Sequence, residues 1–559
     1  MKLLTIALDG ATLDLLKPWL ADGELPHLAE LFEKGASGTL NSTIPWATPT
    51  AFASFATGTN PGKHGVYDFG TLINEDYTAF IPTNGSNVNG RSLWKILSDA
   101  GMRCGVVNMP MTYPAEAING FLVSGIPYPG SSNKLCYPPN LLDDLRQKGW
   151  DLARNASDDL GGNYEAYLVG LIELVKTRTD ATLHLVQEYD PDFLTVHYLE
   201  TDQVQHRFWQ FLEDEPNFTA GSPLTDGMLQ LWRVMDECIG RLVTAVSPDT
   251  FICIMSDHGF GPTRHQVWIN NWLIENNFLI LKPTLGVRFK KWLYRIGLSP
   301  AAIREKAPER LKLAILQFFE RQKGRALAEQ LEGDDSKAQG KGLMDRLTER
   351  LALDFYDVDW SKTVAFSTGT TAVGYVWLNL QGRDPQGTVA QGEEYGRVRQ
   401  SIIDKLQTWE AVGEVLPREQ VWQGSQLNSA PDIVIRWAQP TTDARYFQTR
   451  ISSHHLMKPV PNDYASHRPD GMLLFVGQGV KPSQNLSADI LDLAPTFLWL
   501  LDQPVPTYMD GSVLTDCVEK TDEVTFIEVE MVDTAVDAQL TAEEEDAIIE
   551  SLKGLGYME

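Results

Sequence analysis

The chain has 559 residues, of which 47 are basic and 74 acidic, giving a formal net charge of −27. An apolar content of 43% supplies enough surface to bury a sizeable core and excludes the disordered, collagen-like and low-complexity classes. The acidity excludes a general nucleic-acid binder, which needs a basic surface against phosphate.

Leu3 to Leu8 is a short apolar run that stops at Asp9-Gly10, and it reads as a fully buried strand. Similar runs follow at Gly105–Val107, Phe121–Ser124, Phe193–Leu199, Phe251–Met255, Tyr375–Leu380, Asp432–Ile435 and Met472–Val476. They read as central strands covered on both faces. Helical periodicity occupies Ser92–Ala100, Tyr164–Tyr189, Leu224–Ala245 and Ala488–Leu501. Strands alternating with helices predict an α/β fold, a doubly wound and mostly parallel sheet with helices on both faces. Ligands of such sheets bind beyond the carboxyl ends of the strands.

Two stretches depart from this alternation. Residues 282–325 hold twelve Lys/Arg against three Asp/Glu. The spacing of Trp292, Leu293, Ile296, Leu316, Phe318 and Phe319 predicts an inserted helical cap. The favoured reading is a cap near the site mouth, where it would attract an anionic substrate, rather than a membrane anchor. A solvated helical surface and an anionic lipid surface are the other uses of such a stretch. Residues 332–342 read as a loop. From Glu519 onward there are thirteen acidic and two basic residues, with Thr541-Ala-Glu-Glu544 as a capping box opening a final helix. The expected organisation is a core from 1–275 and 359–518, an insertion at 276–358 and an acidic tail at 519–559.

No apolar run approaches the ~18 residues of a membrane span, and the N-terminus reads without a secretion signal. Cys104, Cys136, Cys238, Cys253 and Cys517 form no CxxC pair. A reducing compartment, and so a cytoplasmic location, is the expectation.

Residue types that bind metals stand at strand ends. Asp9 follows the first strand. Asp202 and His206 follow Leu199 and are four apart, which one helical turn would place on one face. Asp257-His258 follows Met255, and His467 precedes Met472. Asp and neutral His suit zinc, and manganese accepts similar ligands. Each piece also has a plain structural use, as a turn, a solvated helix face, a cap or a loop histidine. His454 and His455 are the competing ligands, with surface or substrate contact the favoured reading for them. In Pro45-Trp-Ala-Thr48-Pro49-Thr50, Thr48 reads as an N-cap with Pro49 at the first helical position. The same hydroxyl at a helix N-terminus beside a metal would be an activated nucleophile.

These residues carry a family resemblance. Leu3 to Asp9-Gly10, Thr48 with Gly58, Asn60-Pro-Gly-Lys-His64-Gly65, Asp202-xxx-His206, Ser256-Asp257-His258-Gly259, His467-Arg-Pro-Asp-Gly471, Asp489 to Pro495-Thr and Met509-Asp-Gly511 occur in that order. Together they resemble the type I phosphodiesterase/nucleotide pyrophosphatase family of the alkaline phosphatase superfamily. The resemblance implies an alkaline-phosphatase-like fold and two divalent metal ions. Asp9, Asp257, His258 and the Thr48 oxygen would hold one, and Asp202, His206 and His467 the other. It implies a hydrolase that cleaves a small phosphoester, a phosphodiester or nucleotide-like substrate, through a phosphothreonine at Thr48. Thr50 is the alternative nucleophile, but its spacing to Gly58 is two residues short. Ala51 stands where the nucleotide pyrophosphatases have Asn, and Pro49 removes a backbone donor, so the metal chemistry is implied more firmly than nucleotide specificity. The nucleophile segment lacks the Cys/Ser and Arg of sulfatases. A phosphomonoesterase or phosphonate hydrolase is the alternative within the superfamily. A non-catalytic metal-stabilised binding protein is the alternative of another class, against which the full set of six Asp/His residues and Thr48 weighs.

Overall fold

The computed structural model describes residues 1–71, 77, 81–130, 132–154, 163–213, 215, 217–300, 351–369, 372–443, 450–451, 455–459, 465–520, 522–532 and 540–555. Of the expected insertion, 301–325 and the loop 332–342 lie outside the described residues, as does His454.

Nine described strands form the central sheet: β1 Leu3–Leu8, β2 Ala36–Asn41, β3 Cys104–Met109, β4 Gly120–Ser124, β5 Cys136–Tyr137, β6 Phe193–Tyr198, β7 Phe251–Met255, β8 Asp470–Val476 and β9 Ser483–Asp489. Their order across the sheet is β9-β2-β8-β7-β1-β6-β3-β4-β5. The block β7-β1-β6-β3-β4 is parallel throughout. β8 runs antiparallel to both β7 and β2. All six residues of β1 are buried, which is why its sequence shows no polar alternation. Leu4, Ile6 and Leu8 enter one core face, with the helices Tyr164–Tyr189 and Gly227–Thr244. Leu3 and Ala7 enter the other, with the helices Thr48–Thr57, Leu93–Asp99 and Leu493–Leu500.

Three expectations are corrected. The runs Tyr375–Leu380 and Asp432–Ile435 are not central strands. They appear as Gly374–Leu378 and Ile433–Trp437, the middle pair of a separate antiparallel sheet with Ala365–Phe366 and Val412–Pro417. Val376, Ile433 and Ile435 pack against Trp272 and Ile402, while Tyr375 and Val434 pack against Trp422 on the other side. A continuous apolar run therefore reports burial on both faces, whichever sheet supplies it. Second, Ala488 belongs to edge strand β9, and the helix expected from there begins at Leu493. Third, Thr48 is not an N-cap: the Ala51 N–H bonds to the Ala47 carbonyl at 2.9 Å, so the helix starts a residue earlier and Ala47 takes the capping position.

In the tail, the Thr541 hydroxyl accepts from the Glu544 N–H at 3.2 Å, and the Glu544 carboxylate accepts from the Thr541 N–H at 3.0 Å. The helix Ala542–Gly554 that this box opens buries Ile548 and Leu552 on the first core face.

Candidate active site

The topology brings five distant segments to one edge of the sheet. β6, β1 and β7 are adjacent and parallel, so their carboxyl ends present Asp202, Asp9 and Asp257 side by side. β8 runs the opposite way, so His467, three residues ahead of its start, reaches the same edge. His467 sits on the strand Ala465–Arg468, opposite Phe260 of Gly259–Pro262. β2 ends at this edge too, and a short loop leads from it to Thr48.

The side chains meet in two overlapping groups. His206 Nε2 lies 3.4 Å and His467 Nε2 3.3 Å from the Asp202 carboxylate, and the two nitrogens are 3.1 Å apart. His258 Nε2 lies 3.5 Å from Asp9 Oδ1, 3.3 Å from Asp257 Oδ2 and 3.4 Å from Thr48 Oγ1. The His258 and His467 rings stack with centroids 3.7 Å apart, which joins the groups. Asp202, His206 and His467 form one set whose ligand atoms lie within 4.8 Å of one another, and Asp9, Asp202 and His258 form another. Thr48 makes no capping bond, so its hydroxyl is turned toward His258. The Thr50 hydroxyl is buried without a hydrogen bond. His455 is exposed, and its carbonyl accepts from Asn271 Nδ2 at 2.8 Å.

Side-chain tautomers are set from outside the group. His258 Nδ1–H donates to the Gly259 carbonyl at 3.0 Å, and His467 Nδ1–H to the Trp46 carbonyl at 3.2 Å. Each bond leaves the Nε2 lone pair facing inward, the form a metal-binding imidazole needs. Phe260 packs edge-on against His206, ring centroids 4.7 Å apart, and fixes that face of the group.

The electrostatics ask for cations. Asp9, Asp202 and Asp257 are fully buried, and imidazoles stand at their carboxylates: His197 and His258 at Asp9, His206 and His467 at Asp202, and His258 at Asp257. Burial, then repulsion from Asp257 and Asp202, holds the Asp9 carboxyl well above the usual carboxylate range. Burial pushes Asp257 up to about 7. At Asp202 burial acts in the same direction, but His206 and His467 outweigh it and hold that carboxyl low. Burial drives the His258 imidazole strongly toward neutrality. Asp9 Oδ1 and Asp257 Oδ2 are buried without a hydrogen bond. Buried carboxylate oxygens with no donor, beside inward-facing imidazole lone pairs, fit divalent cations.

One functional residue escaped the sequence reading. His197 lies inside β6, opposite Ala7 of β1, and its Nε2 is 2.9 Å from Asp9 Oδ2. Its Nδ1–H donates to the Asn108 carbonyl at 3.1 Å. Asn108, held in the left-handed region at φ 53°, accepts from Arg178 Nε at 3.0 Å through its side chain, and Arg178 pairs with Glu200. The signal was a single imidazole in an otherwise apolar strand. It becomes readable once the register sets His197 beside the residue two before Asp9.

A model of the type I phosphodiesterase/nucleotide pyrophosphatase family matches residues 3–446. The chain belongs to that family. It is thus a metal-dependent hydrolase of the phosphodiesterase/phosphatase type, and it has the groups of acidic and imidazole side chains such a hydrolase needs. No curated protein matches the chain. Solved structures of similar fold include wild-type alkaline phosphatase PafA, 16% identical with a TM-score of 0.50, covering 92% of this chain and 98% of that one. Phosphonoacetate hydrolase from Sinorhizobium meliloti is 15% identical with a TM-score of 0.48, covering 90% and 95%. Murine ectonucleotide pyrophosphatase/phosphodiesterase 5 is 12% identical with a TM-score of 0.47, covering 93% and 100%.

Proposed function

We propose that this family member hydrolyses small phosphodiesters through a phosphothreonine at Thr48, with two divalent ions held at the sheet edge. Asp9, Asp257, His258 and Thr48 Oγ1 would hold one ion, and Asp202, His206 and His467 the other. The observation that carries the reading is the meeting of these seven side chains in one group, all buried except the half-buried His206. Their mixed carboxylate and imidazole donors suit zinc, with manganese as the other candidate. Such an ion pair supplies charge to the phosphoryl oxygens and to the oxygens that enter and leave phosphorus.

The chain's own residues do the rest. The Thr48 Oγ–H bond breaks as Oγ bonds to phosphorus, the proton passing to solvent, and the ester oxygen leaves with its electron pair and takes a proton from solvent to become the alcohol. Water then attacks phosphorus from the opposite side, its proton passing by way of solvent to the departing Thr48 Oγ, so that a phosphate monoester is released and the Thr48 hydroxyl is restored. The N-terminus of the helix Thr48–Thr57 adds positive potential where negative charge develops. A helix start that leaves the Thr48 hydroxyl uncapped frees it for this role. Two divalent ions against the carboxylates of Asp9, Asp202 and Asp257 would leave a single positive charge, which suits one anionic charge on the substrate better than two and favours diesters over monoesters. Five buried, unpaired cysteines favour a reducing compartment.

The test compares turnover of an aryl phosphodiester and an aryl phosphomonoester, with and without chelator. Diester turnover that chelation abolishes and zinc restores is the expected result. Preferential monoester turnover would reassign the substrate class. Metal binding with no turnover of either would support a binding protein instead.

A further inference from the structure

We infer that the outer face of the helix Leu285–Arg295 docks this protein onto an anionic lipid surface. The helix opens with Thr284 as its cap, whose side chain accepts from the Val287 N–H at 3.3 Å. One side of it is fastened down. Val287 and Tyr294 are buried against Leu353, with Ile274 and Leu281 alongside, and Lys290 pairs with Asp357 at 2.7 Å. The other side is apolar and exposed. Leu285 is 74% exposed, Trp292 52% and Ile296 48%. At 100° per residue these three fall within about 40° of one another, a single stripe along the helix. Phe289, stacked on Trp292 at 5.8 Å, borders the same stripe.

Beside the stripe stand Arg288, Lys291 and Arg295. No described acidic side chain pairs with them, whereas Lys290 is engaged by Asp357 and Lys282 donates to the Tyr356 carbonyl at 2.6 Å. Tyr356, 65% exposed, adds an aromatic ring next to Asp357. A groove of about 380 Å³ runs along the cationic flank, lined by Ile274, Leu281, Arg288, Lys291, Trp292 and Arg295.

Charge complementarity selects the occupant. A protein of net charge −27 is repelled by anionic bilayers as a whole, so a face that concentrates unpaired cations around exposed Trp and Leu must overcome that field locally. Trp, Leu and Ile in an apolar stripe with Arg and Lys on its flank are the composition of an interfacial helix lying in the plane of a membrane. No described helix is long and apolar enough to cross a membrane, so the contact is peripheral and reversible.

The experiment floats the full chain with vesicles of one part phosphatidylglycerol to two parts phosphatidylcholine, and with vesicles of phosphatidylcholine alone. The intact protein is expected to bind only the anionic vesicles, and less as salt shortens the screening length. Each cation at an anionic surface contributes about five-fold, so Arg288→Gln/Lys291→Gln/Arg295→Gln is expected to weaken binding by about 100-fold. Trp292→Ser/Leu285→Ser is expected to weaken it while the charge is unchanged. Phosphoester turnover of a soluble substrate serves as the folding control and is expected to stay at the wild-type level in both. An intact chain that stays free of anionic vesicles at low salt would overturn the inference, as would a triple variant that binds as tightly as wild type. Self-association that Trp292→Ser abolishes, without vesicle binding, would assign the face to a second copy instead.

Discussion

His197→Phe isolates the hydrogen bonds of one residue from its volume. The ring it replaces is buried and packs edge-on against Phe52 with centroids 4.7 Å apart, a contact that a phenyl ring can keep. Both polar contacts are lost: Nε2 to the Asp9 carboxylate at 2.9 Å and Nδ1 to the Asn108 carbonyl at 3.1 Å. In the metal-stripped protein burial keeps the His197 ring neutral and the Asp9 carboxyl protonated, so Nδ1–H donates to the Asn108 carbonyl while Nε2 accepts from Asp9, and each buried partner left alone costs ~1–3 kcal/mol. The variant should therefore lose about 2–5 kcal/mol in urea unfolding of the metal-stripped protein. Because His197 orients one carboxylate of the site, metal affinity should also fall, by about 10–100-fold in competition with a chromophoric chelator. A variant that loses stability but binds metal within about two-fold of wild type would refute the orienting role and leave His197 a packing residue. Unchanged stability and affinity would refute the hydrogen-bond argument as a whole.

Other outcomes follow from the same geometry. Thr48→Ala should abolish diester turnover while the metal content by atomic absorption stays at wild-type level, since Asp9, Asp257, His258, Asp202, His206 and His467 remain. It should shift unfolding by less than about 1 kcal/mol, because the hydroxyl caps nothing. In metal-stripped protein, burial raises Asp257 in the folded state to about 7, above its value in the unfolded chain. That proton's stabilisation is complete in acid and is lost as pH rises toward about 7, so the urea midpoint should fall between about pH 4 and pH 7. The metal-loaded protein, with that carboxylate already ionised and paired, should lack this fall. Asp432→Ala should destabilise the second sheet by about 3–5 kcal/mol, read as faster hydrogen exchange at Gly374–Leu378 and Ile433–Trp437. The Asp432 carboxylate accepts from Arg383, Arg418, Tyr395 and the Leu378 N–H, and its loss leaves two guanidinium groups short of a partner.

Sequence patterns carried the parallel block well, because β1, β6 and β7 are buried on both sides and end on polar residues with metal chemistry. They carried β2 and β9 poorly. Ala-Ser-Gly-Thr-Leu-Asn and Ser-Gln-Asn-Leu-Ser-Ala-Asp are polar, and β9 is an exposed edge whose hydrogen bonds, rather than its side chains, place it. Gly38 shows what fixes that pairing. A Cβ there would come within 1.8 Å of the Leu486 carbonyl oxygen, so the strands approach only because the side chain is missing. Within the site, Asp9, Asp202, His206, Asp257, His258 and His467 stood out as metal-binding types at strand ends. His197 did not, since its partner is set by strand register and lies nearly two hundred positions away. Thr48 was visible, but its place in the helix was misread by one residue, because Ala47 carries no side-chain signal of a cap.

The reversed strand β8 also sets when the site can exist during synthesis. A ribosome that has released everything through His258 has delivered Asp9, Thr48, Asp202, His206, Asp257 and His258, yet β7 still exposes the edge that β8 will cover. His467 arrives about two hundred residues later, after the second sheet has been made. Until then three acidic side chains crowd a half-built edge with one imidazole missing. Capture of the proposed second metal would thus be a late event in the life of the nascent chain, and a product stopped before His467 has neither the full proposed ligand set nor a protected sheet edge.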